Sequence, residues 1–238
     1  MFGYRLRGLL SLLLNGSRID HFVIPVSWDV IEVCEEFDDP QTGMQNHKDT
    51  TIHTTDTVDW MHIASTMGTG SLGREIELDA LVSGVKDVHS SVESNFSSAS
   101  MVTLYFEEDS PAYTVYRTGA LQIRGAKSEE ELEEAEKLFR STLSELGISA
   151  PDYKFQHVTS VFVDDLGTKL NLGSLFHVLG FENTEYEPEQ FPAVIHKYPE
   201  YGVTLLVFSS GKVIIGGTTK RDVARHAIRD LSRSIGVD

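Results

Sequence analysis

Hydrophobic and polar positions along this chain change period several times, and each change marks an element. From Glu129 to Gly147 the apolar residues Leu132, Ala135, Leu138, Phe139, Leu143 and Leu146 fall three or four apart, one stripe of a helix. Ser128 stands at the N-cap position with Glu131 three residues on, the pattern of a capping box, and Gly147 closes the helix. Val223, Ala227, Ile228, Leu231 and Ile235 repeat the stripe near the C-terminus. Between Val203 and Gly217 the pattern is that of strands: the runs VTLLVF and KVIIGG are joined by the short turn Ser209-Ser210-Gly211. Successive side chains of a strand face opposite sides of its sheet. Leu206, Phe208, Ser210, Lys212, Ile214 and Gly216 therefore share one face, and Leu205, Val207, Val213 and Ile215 the other.

The chain also resembles itself. Met61 to Ser65 aligns with Gln156 to Ser160, Leu72 to Leu78 with Leu166 to Leu172, Tyr116 to Gly119 with Phe208 to Gly211, and Gly125 with Gly217, at separations of 95, 94, 92 and 92. A register that drifts so little over four anchors identifies a tandem repeat. Each copy reads as a strand, a short amphipathic helix starting near Asp79 or Asn171, several strands and a long terminal helix. The expected organisation is a partly disordered N-terminal extension over residues 1–57, a first repeat over 58–148 and a second over 153–238. The fold class is α+β: two copies joined edge to edge make one curved antiparallel sheet with helices on its convex side. The concave side is left as an exposed, partly apolar surface that calls for a partner.

Composition narrows the function. With 238 residues and 40% hydrophobic content the chain can build a core. No apolar stretch approaches the roughly 20 residues of a membrane span, and the run Gly8 to Leu14 has no cleavage site after it, so a cytoplasmic protein is expected. The single cysteine, Cys34, excludes an intramolecular disulfide. Acidic residues outnumber basic ones 36 to 20, a net charge of −16, the wrong sign for an ordinary nucleic-acid binder but the sign expected in a high-salt cytoplasm. None of the nine histidines forms a metal-spaced pair, and His62 and His157 recur at one repeat position, which favours a structural role. There is no phosphate loop, nucleophile elbow or catalytic acid–base pair, so neither an enzyme nor a cofactor is expected.

EYEPEQFPAVIHK (Glu185 to Lys197) followed by LLVFSSGKVIIGG (Leu205 to Gly217) resembles the second repeat of archaeal and eukaryotic TATA-binding proteins. The resemblance covers Phe155 to Val237 well and Val58 to Gly147 more weakly, through IAST, LGREIELDAL and GALQIRGAKSEE. It implies a saddle fold and no enzymatic activity. It further implies double-stranded promoter DNA as ligand, with an A·T-rich minor groove pressed against the concave sheet and aromatic wedges at both ends. An A·T floor lacks the guanine amino group, so apolar side chains can lie on it without stranding a donor. The resemblance places Phe191 and Phe208, with Pro192 behind the first, at the wedge positions of the second repeat; the competing reading is two core phenylalanines. Lys212 and Lys197 match phosphate-facing positions, and Ile214, Val158 and Ile63 match groove-floor positions. It also implies transcription factor B as partner, contacting the second repeat through Glu182 to Glu189, and RNA polymerase indirectly.

The departures concentrate in the first repeat. Two central asparagines of the family fall on Met61 and Gln156, of which only glutamine offers an amide. Arg124 and Gly216 replace threonines before the closing glycines, and Ala120 replaces the lysine after the hairpin. Tyr116 takes the second wedge position. The first falls on Ala99 by gapless counting or on Phe96 with three residues inserted, and Phe96 is the reading adopted. The function implied is a general transcription initiation factor of a halophilic archaeon. The alternative is a saddle-fold paralogue that has lost promoter binding and serves as a protein-interaction module.

Overall fold

The computed structural model describes residues 61–237; the expected extension over residues 1–57, with Cys34, lies outside them. The first repeat supplies β1 (His62–Ser71), α1 (Leu78–Val88), β2 (Glu93–Ser98), β3 (Met101–Tyr105), β4 (Ala112–Tyr116), β5 (Ala120–Ala126) and α2 (Glu129–Glu145). The second supplies β6 (Lys154–Asp165), α3 (Leu172–Leu179), β7 (Thr184–Glu185), β8 (Ala193–Tyr198), β9 (Val203–Phe208), β10 (Lys212–Thr218) and α4 (Arg221–Ile235). The strands form one sheet in the order β2-β3-β4-β5-β1-β6-β10-β9-β8-β7, every pairing antiparallel. The first strands of the two repeats, β1 and β6, meet at its centre.

The four helices of the described residues cover one face. In the first repeat Leu81 and Val85 of α1 and Leu132, Phe139 and Leu143 of α2 pack on Val102, Tyr113 and Ile123. In the second, Leu175 of α3 and Ala224, Ala227 and Leu231 of α4 pack on Leu205, Val207, Val213 and Ile215. The facing expected for β9 and β10 is therefore the facing found. The cap expected on α2 also forms: the Ser128 hydroxyl accepts from the Glu131 N–H at 3.1 Å, and the Glu131 carboxylate accepts from the Lys127 N–H at 2.6 Å. Ser128→Ala is expected to cost about 1 kcal/mol, read as a lower urea midpoint at unchanged slope.

The centre of the sheet corrects the repeat alignment. Along β1 and β6 the pairing passes from Ile63↔Phe162 to Ser65↔Val161, and from Met67↔Thr159 to Gly68↔His157. Ala64 and Val158 are thus extra residues, one bulge in each strand. The bulges lie 94 positions apart, so Gln156 is the counterpart of His62, and Met61 is the counterpart of Phe155. A one-residue slip moves a side chain to the opposite face of a sheet. Met61, expected over the groove, is instead buried in the helix-side core of the second repeat, and Ile63, expected on the groove floor, packs against that same core. Phe155 reciprocates by packing against the helix-side core of the first repeat. Its ring lies against Gly68, where any Cβ would collide with it, while the counterpart of Gly68 is the buried Phe162. His157, half-buried, places Nε2 2.9 Å from the Ser160 hydroxyl, while His62 is exposed, so the two histidines are not equivalent.

Candidate nucleic-acid interface

On the face opposite the helices, the second repeat carries a compact apolar cluster: Val161, Val163, Phe191, Ala193, Leu206, Phe208 and Ile214, with Ala64 and Ile195 against it. None of the four helices contributes a residue. Phe191 stands in the loop just before β8 and Phe208 ends β9, and Ala193↔Phe208 pairing brings the rings together at 6.1 Å between centroids, edge to face at 66°. Both rings lie on the concave side, as expected of wedges, yet they are only 4% and 3% exposed, and Ile214 is fully buried. An open apolar surface is the expectation on the concave side; here the rings cover each other and are nearly inaccessible. Pro192 is exposed beside Phe191.

Lys212 follows Ile214 in the alternation of β10 and is half-buried, opposite Asp165. Lys197 shares the concave face with Ile195 and places its ammonium 3.0 Å from the Glu185 carboxylate. This is a surface ion pair of small energetic weight, and it leaves the lysine able to exchange its partner for a phosphate. Val158 sits at the β6 bulge, half-buried.

The first repeat differs in both wedges and floor. Tyr116 pairs with Met101 as Phe208 pairs with Ala193, so it holds the second wedge position, half-buried. Phe96 does not hold the first. It pairs with Val102, a residue of the helix-side core, and so belongs to the helix face of the edge strand, 43% exposed. The physical reason is the hairpin: β2 has six residues and turns at Ala99 and Ser100, whereas β7 has two and is followed by a loop that carries Phe191. By pairing, Asn95↔Thr103 matches Glu185↔Ile195, which makes Phe96 the counterpart of Tyr186 and leaves Ala99 in the place of Phe191. Arg124 is exposed on the concave face opposite Ala112, where the second repeat has Gly216 opposite Thr204.

Registers across the sheet reveal a contrast that no single strand shows. In the second repeat Ile195↔Leu206, Leu206↔Ile214, Ile214↔Val163 and Val163↔His62 form one straight row. In the first, the matching row is Thr103↔Thr114, Thr114↔Gln122, Gln122↔Thr69 and Thr69↔Gln156. Four apolar side chains and a histidine are set against three threonines and two glutamines. The two buried hydroxyls, Thr103 and Thr114, bond each other at 3.1 Å. The motif comparison pointed only to Gln156 and Ile214 among these; the rest become visible once five strands are in register.

Other chemistry is thin. Among the described residues no group of three His, Cys, Asp or Glu side chains is placed to hold a metal ion, and no helix is long and apolar enough to cross a membrane. His196 lies on the helix side, its Nδ1 2.8 Å from the Thr184 hydroxyl, and burial holds its pKa below the usual histidine value.

Comparison with known proteins gives a consistent result. The family described as transcription factor TFIID (or TATA-binding protein, TBP) matches residues 60–146 and 153–236. TATA-box-binding protein C of Halobacterium salinarum is 34% identical over 172 residues, covering 70% of this chain and 92% of that protein. The TATA-box-binding protein of Archaeoglobus fulgidus is 32% identical over 176 residues, covering 73% and 93%. Among solved structures, Methanococcus jannaschii TBP superimposes with a TM-score of 0.62 at 28% identity, over 74% of this chain and 98% of that one.

Proposed function

The chain belongs to the TATA-binding protein family, which consists of DNA-binding transcription factors and not enzymes, and from that premise we propose that it is a general initiation factor for TATA-box promoters. The observation that carries the reading is the concave cluster of the second repeat. Two phenylalanines in edge-to-face contact stand beside an apolar row, with Lys197 and Lys212 on the same face. Rings of this kind enter a minor groove between base steps and kink the duplex, and an apolar row lies on an A·T floor without burying an unpaired amino group. Phe191, Phe208 and Pro192 act as the wedge, and Ile214 and Val158 as floor. Gln156 donates its amide to groove acceptors, Lys212 and Lys197 neutralise phosphates, and Arg124 enters the narrow A·T minor groove. Tyr116 is the one ring at the two wedge positions of the first repeat, so the kink is stronger at the second.

Transcription factor B, and RNA polymerase through it, dock on the second repeat around Glu182 to Glu189. That acidic loop lies beside Phe181, which is 68% exposed. The net charge of −16 and the Halobacterium relatives support a halophilic archaeal host, with the protein associated with the nucleoid. A second reading, a protein-interaction module without promoter binding, draws on the closure of the concave cluster.

Binding to a bendable A·T-rich duplex, followed across potassium chloride from about 0.2 to 2 M, separates the two. A binder with many lysine–phosphate contacts loses roughly 10³-fold or more over a few-fold rise in salt. Here few cations face the DNA and the chain carries a net charge of −16, so added salt screens repulsion as much as attraction. Affinity is expected to change by less than about tenfold across the range. Absence of binding at every salt concentration selects the interaction module, and a steady steep loss overturns the halophilic account.

A further inference from the structure

On the promoter-binding reading above, we infer that the two repeats read different base chemistry: the second takes an A·T half-site, and the first takes a half-site containing G·C pairs. The argument starts from what the minor groove displays. A·T and T·A pairs offer only acceptors, and a G·C pair adds one donor, the guanine 2-amino group. Against Val163 and Ile214 of the second repeat that donor is buried without an acceptor, which disfavours G·C. At the matching places the first repeat has Thr69 and Gln122, directly opposite each other, and Gln156 opposite Thr69. A threonine hydroxyl and a glutamine carbonyl both accept from an amino group, while the glutamine NH2 donates to the acceptors that every pair presents. The polar row is also the more accessible of the two: Thr69 and Gln122 are half-buried and Gln156 exposed, whereas Val163 and Ile214 are buried.

The test uses the full chain and four duplexes of equal length: A·T in both halves, G·C in one half, G·C in both, and the one-half duplex with inosine·C replacing G·C. The protein can bind an asymmetric site in either direction, so it turns its first repeat onto the G·C half. Expected is that G·C in one half leaves affinity within about threefold, and G·C in both halves costs about tenfold or more. Inosine lacks the 2-amino group, and its substitution is expected to bring no gain. A loss of about tenfold on the one-half duplex, recovered by inosine, shows the amino group clashing with both repeats and overturns the inference alone. Failure to bind any duplex overturns the promoter reading and this inference with it. The double variant Thr69→Val, Gln122→Leu gives the first repeat the floor of the second. It is expected to lose about tenfold more affinity on the one-half duplex than on the A·T duplex, where only the glutamine's donated bond is missing. Should the variant not fold, the inosine comparison decides on the wild type.

Discussion

Replacing Phe191 and Phe208 together by leucine is expected to abolish most of the bend in an A·T-rich duplex and to weaken binding on the order of 100-fold, about 2.7 kcal/mol. Alanine would be the wrong choice. Both rings are nearly inaccessible within the concave cluster, and truncating a buried phenylalanine costs about 3–5 kcal/mol, enough to confuse unfolding with loss of binding. Leucine keeps apolar volume in the cluster at a cost of roughly 1–2 kcal/mol, but it offers no flat face to an opened base step. Energy transfer between dyes on the duplex ends reads the bend, and circular dichroism confirms the fold. An undiminished bend in a folded variant would show that the rings serve only the cluster. Tyr116→Leu is expected to do much less, because Ala99 supplies no second ring beside Tyr116.

The second large effect concerns stability. Gly119 and Gly211, one in each repeat, close the hairpins β4–β5 and β9–β10 with φ of 83° and 99°. A Cβ at Gly119 would collide with the carbonyl oxygen of Arg74, and one at Gly211 with that of Thr168. Those strands of chain are held in place: the Leu72 N–H donates to the Gly119 carbonyl at 2.8 Å, and the Leu166 N–H to the Gly211 carbonyl at 3.0 Å. The oxygen therefore cannot retreat without breaking the strap. Gly211→Ala is expected to cost about 3 kcal/mol, of which roughly 1–2 kcal/mol is the positive φ and the rest the collision. For a chain of this size that lowers the thermal midpoint by roughly 6–12 °C. Gly236→Ala is the control, since its φ is 69° but nothing lies within 4 Å of the added carbon. A midpoint shift as large as that of Gly211→Ala would remove the collision from the account.

Much of this was legible in the chain. The helix stripes, the capping box at Ser128 and the alternation of β9 and β10 are local signals, each contained within one element or one hairpin, and the repeat emerges from matching short segments of that kind along the chain. The errors share one cause, which is that pairing between distant strands has no local signature. Side-chain likeness aligns His62 with His157, and that alignment sets Met61 and Ile63 on the concave face. The bulges at Ala64 and Val158 move the true register by one residue, and one residue is a change of face. Phe96 is the phenylalanine nearest the first wedge position in sequence, but the hairpin from β2 to β3 turns it to the helix side. The polar row of the first repeat passed unnoticed for the opposite reason. Thr103, Thr114, Gln122 and Thr69 lie on four different strands, each alone an ordinary polar residue, and only the assembled sheet makes them neighbours.

Met61 and Phe155 each complete the interior of the repeat to which they do not belong. The carbonyl of Met61 is also held by the Arg221 guanidinium of α4 at 2.7 Å. Either half cut away from the other would expose a hole where the borrowed side chain had been, together with the bare edge of its central strand. Two halves that descend from one duplicated unit have thus become interdependent. A single calorimetric transition is the natural consequence, and the halves are free to diverge in what their outer faces recognise while remaining bound to a common fate in folding.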